Sequence, residues 1–172
     1  GWDIPTYVHC PPVMKDEHHK LSKRNGDASF QDLVKKGYLP QAILNYIALL
    51  GWSPETEQEI YTLEELIKAF DMKRISKSPA IFDIDKLTWM NGVYLREMDL
   101  DTFYGYAKPY IEESVKSNVD LKAVAKILQP RTDVLTSIPE AVDFIDALPE
   151  YDIAMYVHKK MKTNYEVALT AL

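Results

Sequence analysis

The residues best suited to chemistry stand together near the start of the chain: Lys20, Leu21, Ser22, Lys23 and Arg24, followed at once by Asn25-Gly26-Asp27. Ammonium groups, a hydroxyl and a guanidinium ahead of an Asn-Gly turn make a donor-rich loop, and Gly26 can take the positive φ that a tight turn needs. Such a loop can close over phosphate oxygens, where charge-assisted hydrogen bonds are stronger than neutral ones. Taken alone, the pentapeptide is more often an ordinary solvated basic turn, so the rest of the chain has to decide.

A chain of 172 residues with 47% hydrophobic content can bury one good core or two small ones side by side. No run approaches membrane-span length, and Gly1-Trp2-Asp3-Ile4-Pro5 lacks the basic flank and apolar core of a signal peptide, so no membrane partner and a cytoplasmic location are expected. The single cysteine, Cys10, rules out an intramolecular disulfide and fits a reducing compartment. A formal net charge of −6 excludes a chain-wide polyanion trap, so any contact with nucleic acid must be a local patch. Lys and Arg cluster at 20–24, 35–36, 73–77 and 159–162, which permits such a patch. His9, Cys10, His18 and His19 match no usual metal-site spacing and offer one sulfur, so no structural metal is expected.

These residues must be positioned by helices. Residues 1–19 carry Pro5, Pro11 and Pro12 around the β-prone Thr6-Tyr7-Val8-His9 and read as a strand or extended arm. From Ser29 onward the period is helical. Ser29 can cap a helix through Lys36 that Gly37 stops. Residues 39–50 place Ile43, Leu44, Tyr46, Ile47 and Leu50 on one apolar face, with Pro40 in the first turn and Gly51 as the stop. Thr62 with Glu65 is a capping box ahead of Leu63, Leu66, Ile67 and Phe70. Residues 81–103 read as one long element capped by Asp83, with Leu87, Met90, Tyr94, Leu95 and Met98 as its stripe and Gly92 as its weak point. Pro109 makes 102–114 a kinked helix or two short ones.

Asp120 opens a helix to Gln129, Ser137 and Glu140 form a second capping box, Pro149 opens a helix to Met161, and Thr163 with Glu166 begins another. Trp52, Trp89 and Tyr94, at helical spacing, read as core before base-stacking platforms. The fold class is mainly α, with a short extended or β arm at the amino end. Both ends fall inside structured-looking phrases, so a piece of a longer protein is expected.

Three phrases carry a resemblance when taken in order. They are His19-Lys20-Leu21-Ser22-Lys23-Arg24-Asn25-Gly26, then Gly37-Tyr38-Leu39-Pro40-Gln41-Ala42-Ile43-Leu44-Asn45-Tyr46-Ile47-Ala48-Leu49-Leu50-Gly51-Trp52-Ser53, then Phe82-Asp83-Ile84-Asp85-Lys86-Leu87-Thr88-Trp89-Met90-Asn91-Gly92. At those separations they closely resemble the bacterial-type glutamyl-tRNA synthetases, class I aminoacyl-tRNA synthetases whose second signature is a Lys-Met-Ser-Lys-Ser loop. The resemblance covers most of the chain and fades after about residue 115.

It implies a carboxyl-terminal fragment beginning just before the loop: residues 1–28 as the end of the catalytic domain, 29–130 as a helical stem-contact domain and 131–172 as the start of a helical anticodon-binding region. It implies an enzyme that attaches L-glutamate to the tRNA for glutamate, using ATP with Mg as the substrate complex. A monomer is expected. Lys23 is implied as the catalytic residue, and Lys20, Leu21, Ser22, Lys23 and Arg24 as the ATP-binding set. Leu21 replaces the methionine and Arg24 the final serine of the general signature. The first signature and the glutamate pocket are not in this sequence, so the chain by itself is expected to be inactive.

Arg74-Ile75-Ser76-Lys77-Ser78 spells the general signature more closely, yet it lacks the Gly-bearing turn. Ser76 to Ser78 read as connector residues, and Lys73, Arg74 and Lys77 as phosphate contacts to tRNA. The alternative function is a noncatalytic helical RNA-binding or adaptor module derived from a synthetase. An upstream nucleotide-binding domain in the full reading frame separates the two.

Overall fold

Helix boundaries follow the capping chemistry in the computed structural model, which describes residues 2–22, 29–147, 152–157, 160, 162–164 and 166. Ser29 starts α1 (Phe30–Lys35) with a reciprocal box: Asp32 N–H donates to its hydroxyl, and its own N–H donates to the Asp32 carboxylate. Gly37 stops that helix at a φ of +88°. α2 (Pro40–Gly51) begins with proline at its first position, and α3 (Leu63–Ala69) begins with the expected Thr62–Glu65 box. The Asp83 carboxylate accepts the Asp85 and Lys86 N–H groups at the head of α4 (Ile84–Glu97).

The long element expected over 81–103 is two helices. Asp99 follows Met98, and its carboxylate accepts the Thr102 N–H to open α5 (Leu100–Ser114). From across the fold, Gln129 donates to the Leu95 and Met98 carbonyls and so satisfies the end of α4. Pro109 stands inside α5 without dividing it. The carbonyl it leaves unpaired is that of Gly105; both residues are exposed, so water can satisfy it.

Asp120 opens α6 (Leu121–Leu128) as expected. Ser137 precedes α7 (Ile138–Ala141) but makes no capping box, because its hydroxyl donates to the Val134 carbonyl. Residues 6–9 form no strand. β1 is Val13–Met14, which pairs in parallel with β2 (Ala80–Ile81). The helix expected from Pro149 lies partly outside the described residues; among those described, a short 3-10 turn spans Ile153–Tyr156. The one expected from Thr163 lies mostly outside them. No helix among the described residues is long and apolar enough to cross a membrane.

Among the described residues, three buried clusters hold these elements, the smallest of them Trp52, Tyr61 and Leu66, which seats α3. A larger one joins α1, α2 and α4 through Leu33, Tyr38, Ile43, Tyr46, Leu87 and Met90. The largest joins Leu39 of the α2 cap and Leu95 of α4 to Phe103, Ala107, Ala125 and Leu128. Leu135, Ile138 and Val142 belong to that largest cluster, so packing runs across the 130/131 border without a break. Each large side chain buried there contributes about 1.5–3 kcal/mol.

The expected face of α2 is rotated: Ala42, Ile43, Asn45 and Tyr46 are buried, while Leu44 and Ile47 are 44% and 50% exposed. Asn45 sets that rotation by accepting the Tyr61 N–H at 2.8 Å and the Tyr94 hydroxyl at 2.7 Å. α3 buries Leu66 alone, leaving Leu63, Ile67 and Phe70 exposed. Trp52 is a core residue as read and Tyr94 packs half-buried against the core, whereas Trp89 is 45% exposed.

Capping sets the acid limit of stability. The Ser29 hydroxyl holds Asp32, the Thr62 N–H holds Glu65, the Thr102 hydroxyl holds Asp99 and the Ser117 hydroxyl holds Asp146 below their usual carboxyl range. The unfolded chain therefore binds more protons in acid, and this stability is present above the ordinary carboxyl values and lost as pH falls through the lower folded-state values. At the other limit, burial pushes the Tyr94 phenol up to about 12 from 10.0, so its contribution is present below the unfolded value and lost as pH rises between the two. Urea midpoints should stay level from about pH 6 to 9 and decline on both sides. A midpoint that rises into acid would refute this account.

Candidate functional site

The base of the Lys20–Arg24 stretch is built by Asp16. Its Oδ1 accepts the His18 and His19 N–H groups at 2.8 and 2.9 Å, and the His19 ring Nδ1 lies 2.8 Å from it. The His18 N–H, ahead of the His19 ring, holds the Asp16 carboxyl below its usual range. The Lys15 N–H closes the turn on the His19 carbonyl at 2.8 Å. The chain then doubles back, so that Lys20 bridges Met14 in antiparallel sense and the Leu21 N–H donates to the Val13 carbonyl at 3.0 Å.

β1 is therefore flanked on one edge by residues 20–21 and on the other by β2, where the Phe82 N–H also donates to the Met14 carbonyl at 2.8 Å. Lys20 is exposed, while Leu21 and Ser22 are half-buried. Lys23 and Arg24 lie outside the described residues. The chain is caught again by the Ser29–Asp32 box. No helical or strand period in the sequence marks the turn at Asp16; Asp16 two and three residues ahead of His18 and His19 is its signal.

The second basic stretch is tied to the same sheet. Lys73 and Arg74 end a short 3-10 helix, Met72–Arg74, capped by Asp71, and the Ser76 N–H donates to the Gly51 carbonyl at 2.8 Å. Ser76 also closes a small turn on Ser78, in keeping with a connector. Arg74 turns inward: its Nε donates to the Ser53 carbonyl at 2.7 Å and its Nη2 to the Pro54 carbonyl at 2.6 Å. That guanidinium braces the segment after α2, which leaves Lys73 and Lys77 as the exposed cations of the trio. Lys77 stands three residues before β2, the strand that pairs with β1 on the side away from residues 20–21. Further along, Lys122 is paired with Asp101, which pushes its ammonium pKa up.

Residues 1–89, more than half of the 172, match the family model described as tRNA synthetases class I (E and Q), catalytic domain. The chain belongs to the class I tRNA synthetases of the E and Q type. Residues 102–172 match a second model, an anticodon-binding domain, so the break between α4 and α5 at Met98-Asp99 falls between the two matches of this synthetase chain.

Among curated relatives, a glutamate–tRNA ligase of Clostridium botulinum (strain Hall) is 59% identical over 172 residues, and one of Clostridium novyi (strain NT) is 60% identical over 176. Each match covers 100% of this synthetase chain and 36% of the relative, so the chain spans about a third of their length. A crystal structure of a glutamate–tRNA ligase from Elizabethkingia meningosepticum, in complex with its amino acid, superposes with a TM-score of 0.80 at 26% identity, covering 98% of this chain and 37% of that one. The glutamate–tRNA synthetase of Elizabethkingia anophelis gives 0.69 at 28% identity, covering 81% and 32%.

Proposed function

We propose that this chain is part of a glutamate–tRNA ligase, which attaches L-glutamate to tRNA using ATP, and that residues 20–24 are its Lys-Met-Ser-Lys-Ser-type loop. The order of the two matches carries this reading: the loop lies inside the catalytic-domain match, and the anticodon-binding match follows it. Residues 1–28 are then the loop-bearing end of the catalytic domain, 29–130 the stem-contact helices and 131–172 the start of the anticodon-binding region, joined to the helices before it by a shared core. Activity belongs to the complete protein.

In the reaction, a glutamate carboxylate oxygen attacks the α-phosphorus of magnesium-bound ATP. The bond to the pyrophosphate oxygen breaks as the acyl-phosphate bond forms, and negative charge builds on the leaving group. Lys23 supplies an ammonium to that charge as the loop closes, and Lys20 supports the phosphates. Ser22 orients the loop by hydrogen bonding, with the backbone at Leu21 facing the nucleotide and Arg24 completing the donor set.

Lys73 and Lys77 meet tRNA phosphates and 2′-hydroxyls, since the deep groove of an A-form stem offers side chains little sequence information. Reversing both charges, Lys73→Glu with Lys77→Glu, in the complete ligase should raise the KM for tRNA and lower its salt slope by roughly one contact per lost charge. The melting temperature should hold. Unaltered tRNA kinetics across a salt series would move the contact to Lys126 and Arg131, because Lys122 is already engaged by Asp101.

A further inference from the structure

Residues 132–136 are held from three sides. The Asp133 carbonyl accepts the Asn91 side-chain N–H at 2.6 Å, and the Asn91 Oδ1 accepts the Leu39 N–H at 2.8 Å. The Asp133 carboxylate accepts Arg96 Nη1 at 2.7 Å. It lies so close over Gly92 that a β-carbon there would be 2.0 Å from Oδ1. The third hold is on the turn after α1: the Leu135 N–H donates to the Gly37 carbonyl at 3.3 Å and the Thr136 hydroxyl to the Lys36 carbonyl at 2.7 Å. A β-carbon on Gly37 would sit 2.7 Å from the Thr136 nitrogen.

Gly37 thus stands where one family region is pressed against the other, while Asn91, Gly92 and Arg96 lie between the two matches, on the helix whose first turns belong to the catalytic-domain match. Residues 36–39 belong to the catalytic-domain match, and residues 133–136 to the anticodon-binding match. Only α1 separates the Gly37 turn from the end of the 20–28 loop segment. The joint is polar and directional, and a directional joint fixes register where an apolar one would allow sliding.

We infer that Asp133 is a positioning residue: clamped on Gly92 by Arg96 and Asn91, it holds the anticodon-binding region in register with the segment that carries the ATP loop. A wrongly read anticodon is then felt at the reacting end through this joint. The inference rests on the ligase reading above and is tested apart from it.

In the complete ligase, kcat/KM is measured for glutamylation of the cognate tRNA and of the same transcript with one anticodon base changed, using the wild type, Arg96→Ala and Arg96→Lys. The Arg96–Asp133 pair is half exposed, with side chains 35% and 51% accessible, so breaking it spares the fold. Arg96→Ala should shrink the ratio of the two constants by about fivefold or more, a usual size for coupling between sites. The KM for ATP and the melting temperature should hold, and Arg96→Lys should restore most of the ratio. Gly92→Ala, whose methyl displaces the Asp133 carboxylate, should reproduce the loss. An unchanged ratio in Arg96→Ala and Gly92→Ala, or a loss that merely follows the melting temperature, overturns the positioning role. A wild-type protein that glutamylates no tRNA overturns the ligase reading itself.

Discussion

Replacing Lys23 with alanine in the complete ligase should lower the rate of glutamyl-adenylate formation by about two to three orders of magnitude, the effect of removing one preorganised donor from a developing charge. The loss should fall on the rate constant more than on binding, since in the proposed role the ammonium would meet the pyrophosphate most strongly as the bond to it breaks. The KM for glutamate should change little. Lys77→Ala is the matching control: it removes a lysine from the stretch that spells the general signature more closely, and adenylation should barely respond. The physical distinction is the setting. Residues 20–22 leave a sheet edge and precede Asn25-Gly26 in the sequence, whereas the stretch around Lys77 is stitched to Gly51, Ser53 and Pro54 by backbone and guanidinium hydrogen bonds. Pyrophosphate exchange measured for both variants decides it, and a larger loss in Lys77→Ala would assign the chemistry to the other stretch.

The largest effect on stability should come from Asn91. Its side chain is fully buried and spends its oxygen on the Leu39 N–H and its nitrogen on the Asp133 carbonyl. Asn91→Leu keeps the number and branching of side-chain heavy atoms and strands both partners inside the protein. Each unpaired group costs about 1–3 kcal/mol, so the pair should cost about 2–6 kcal/mol. Against a domain stability of about 5–15 kcal/mol, that is enough to leave a large unfolded fraction. Arg96→Ala, one helical turn on, should cost no more than about 1 kcal/mol, since its ion pair is partly solvated. Urea unfolding of the three proteins side by side tests this; equal midpoints for wild type and Asn91→Leu would mean that water reaches both orphaned groups.

Sequence alone determined most helix starts whose cap and partners lie within one turn, Asp99 and Ser137 being the exceptions. Ser29, Thr62 with Glu65, Asp83 and Asp120 cap their helices as read, because a cap and its N–H partners lie within one turn of each other. The mainly helical class follows from those caps and the period between them. The ordered phrases around residues 20, 40 and 85 were enough for the synthetase family, since order and spacing survive in the chain itself.

Tertiary structure decided everything that depends on a distant partner. α2 is apolar on most sides, so its period leaves the buried side open, and Asn45 chose it by reaching Tyr61 and Tyr94. The apolar spacing from Leu87 to Met98 continues smoothly into α5, so only the Asp99 cap and Gln129, reaching back from beyond α6, reveal the break. Gly92 looks like a helix defect in one dimension and is a seat for the Asp133 carboxylate in three. Arg74 has the composition of a phosphate contact, but two carbonyls brought to it by the fold took its guanidinium. Local hydrogen bonds have a fixed sequence offset and can be read from the chain, while long-range ones have none and become legible only once the chain has folded.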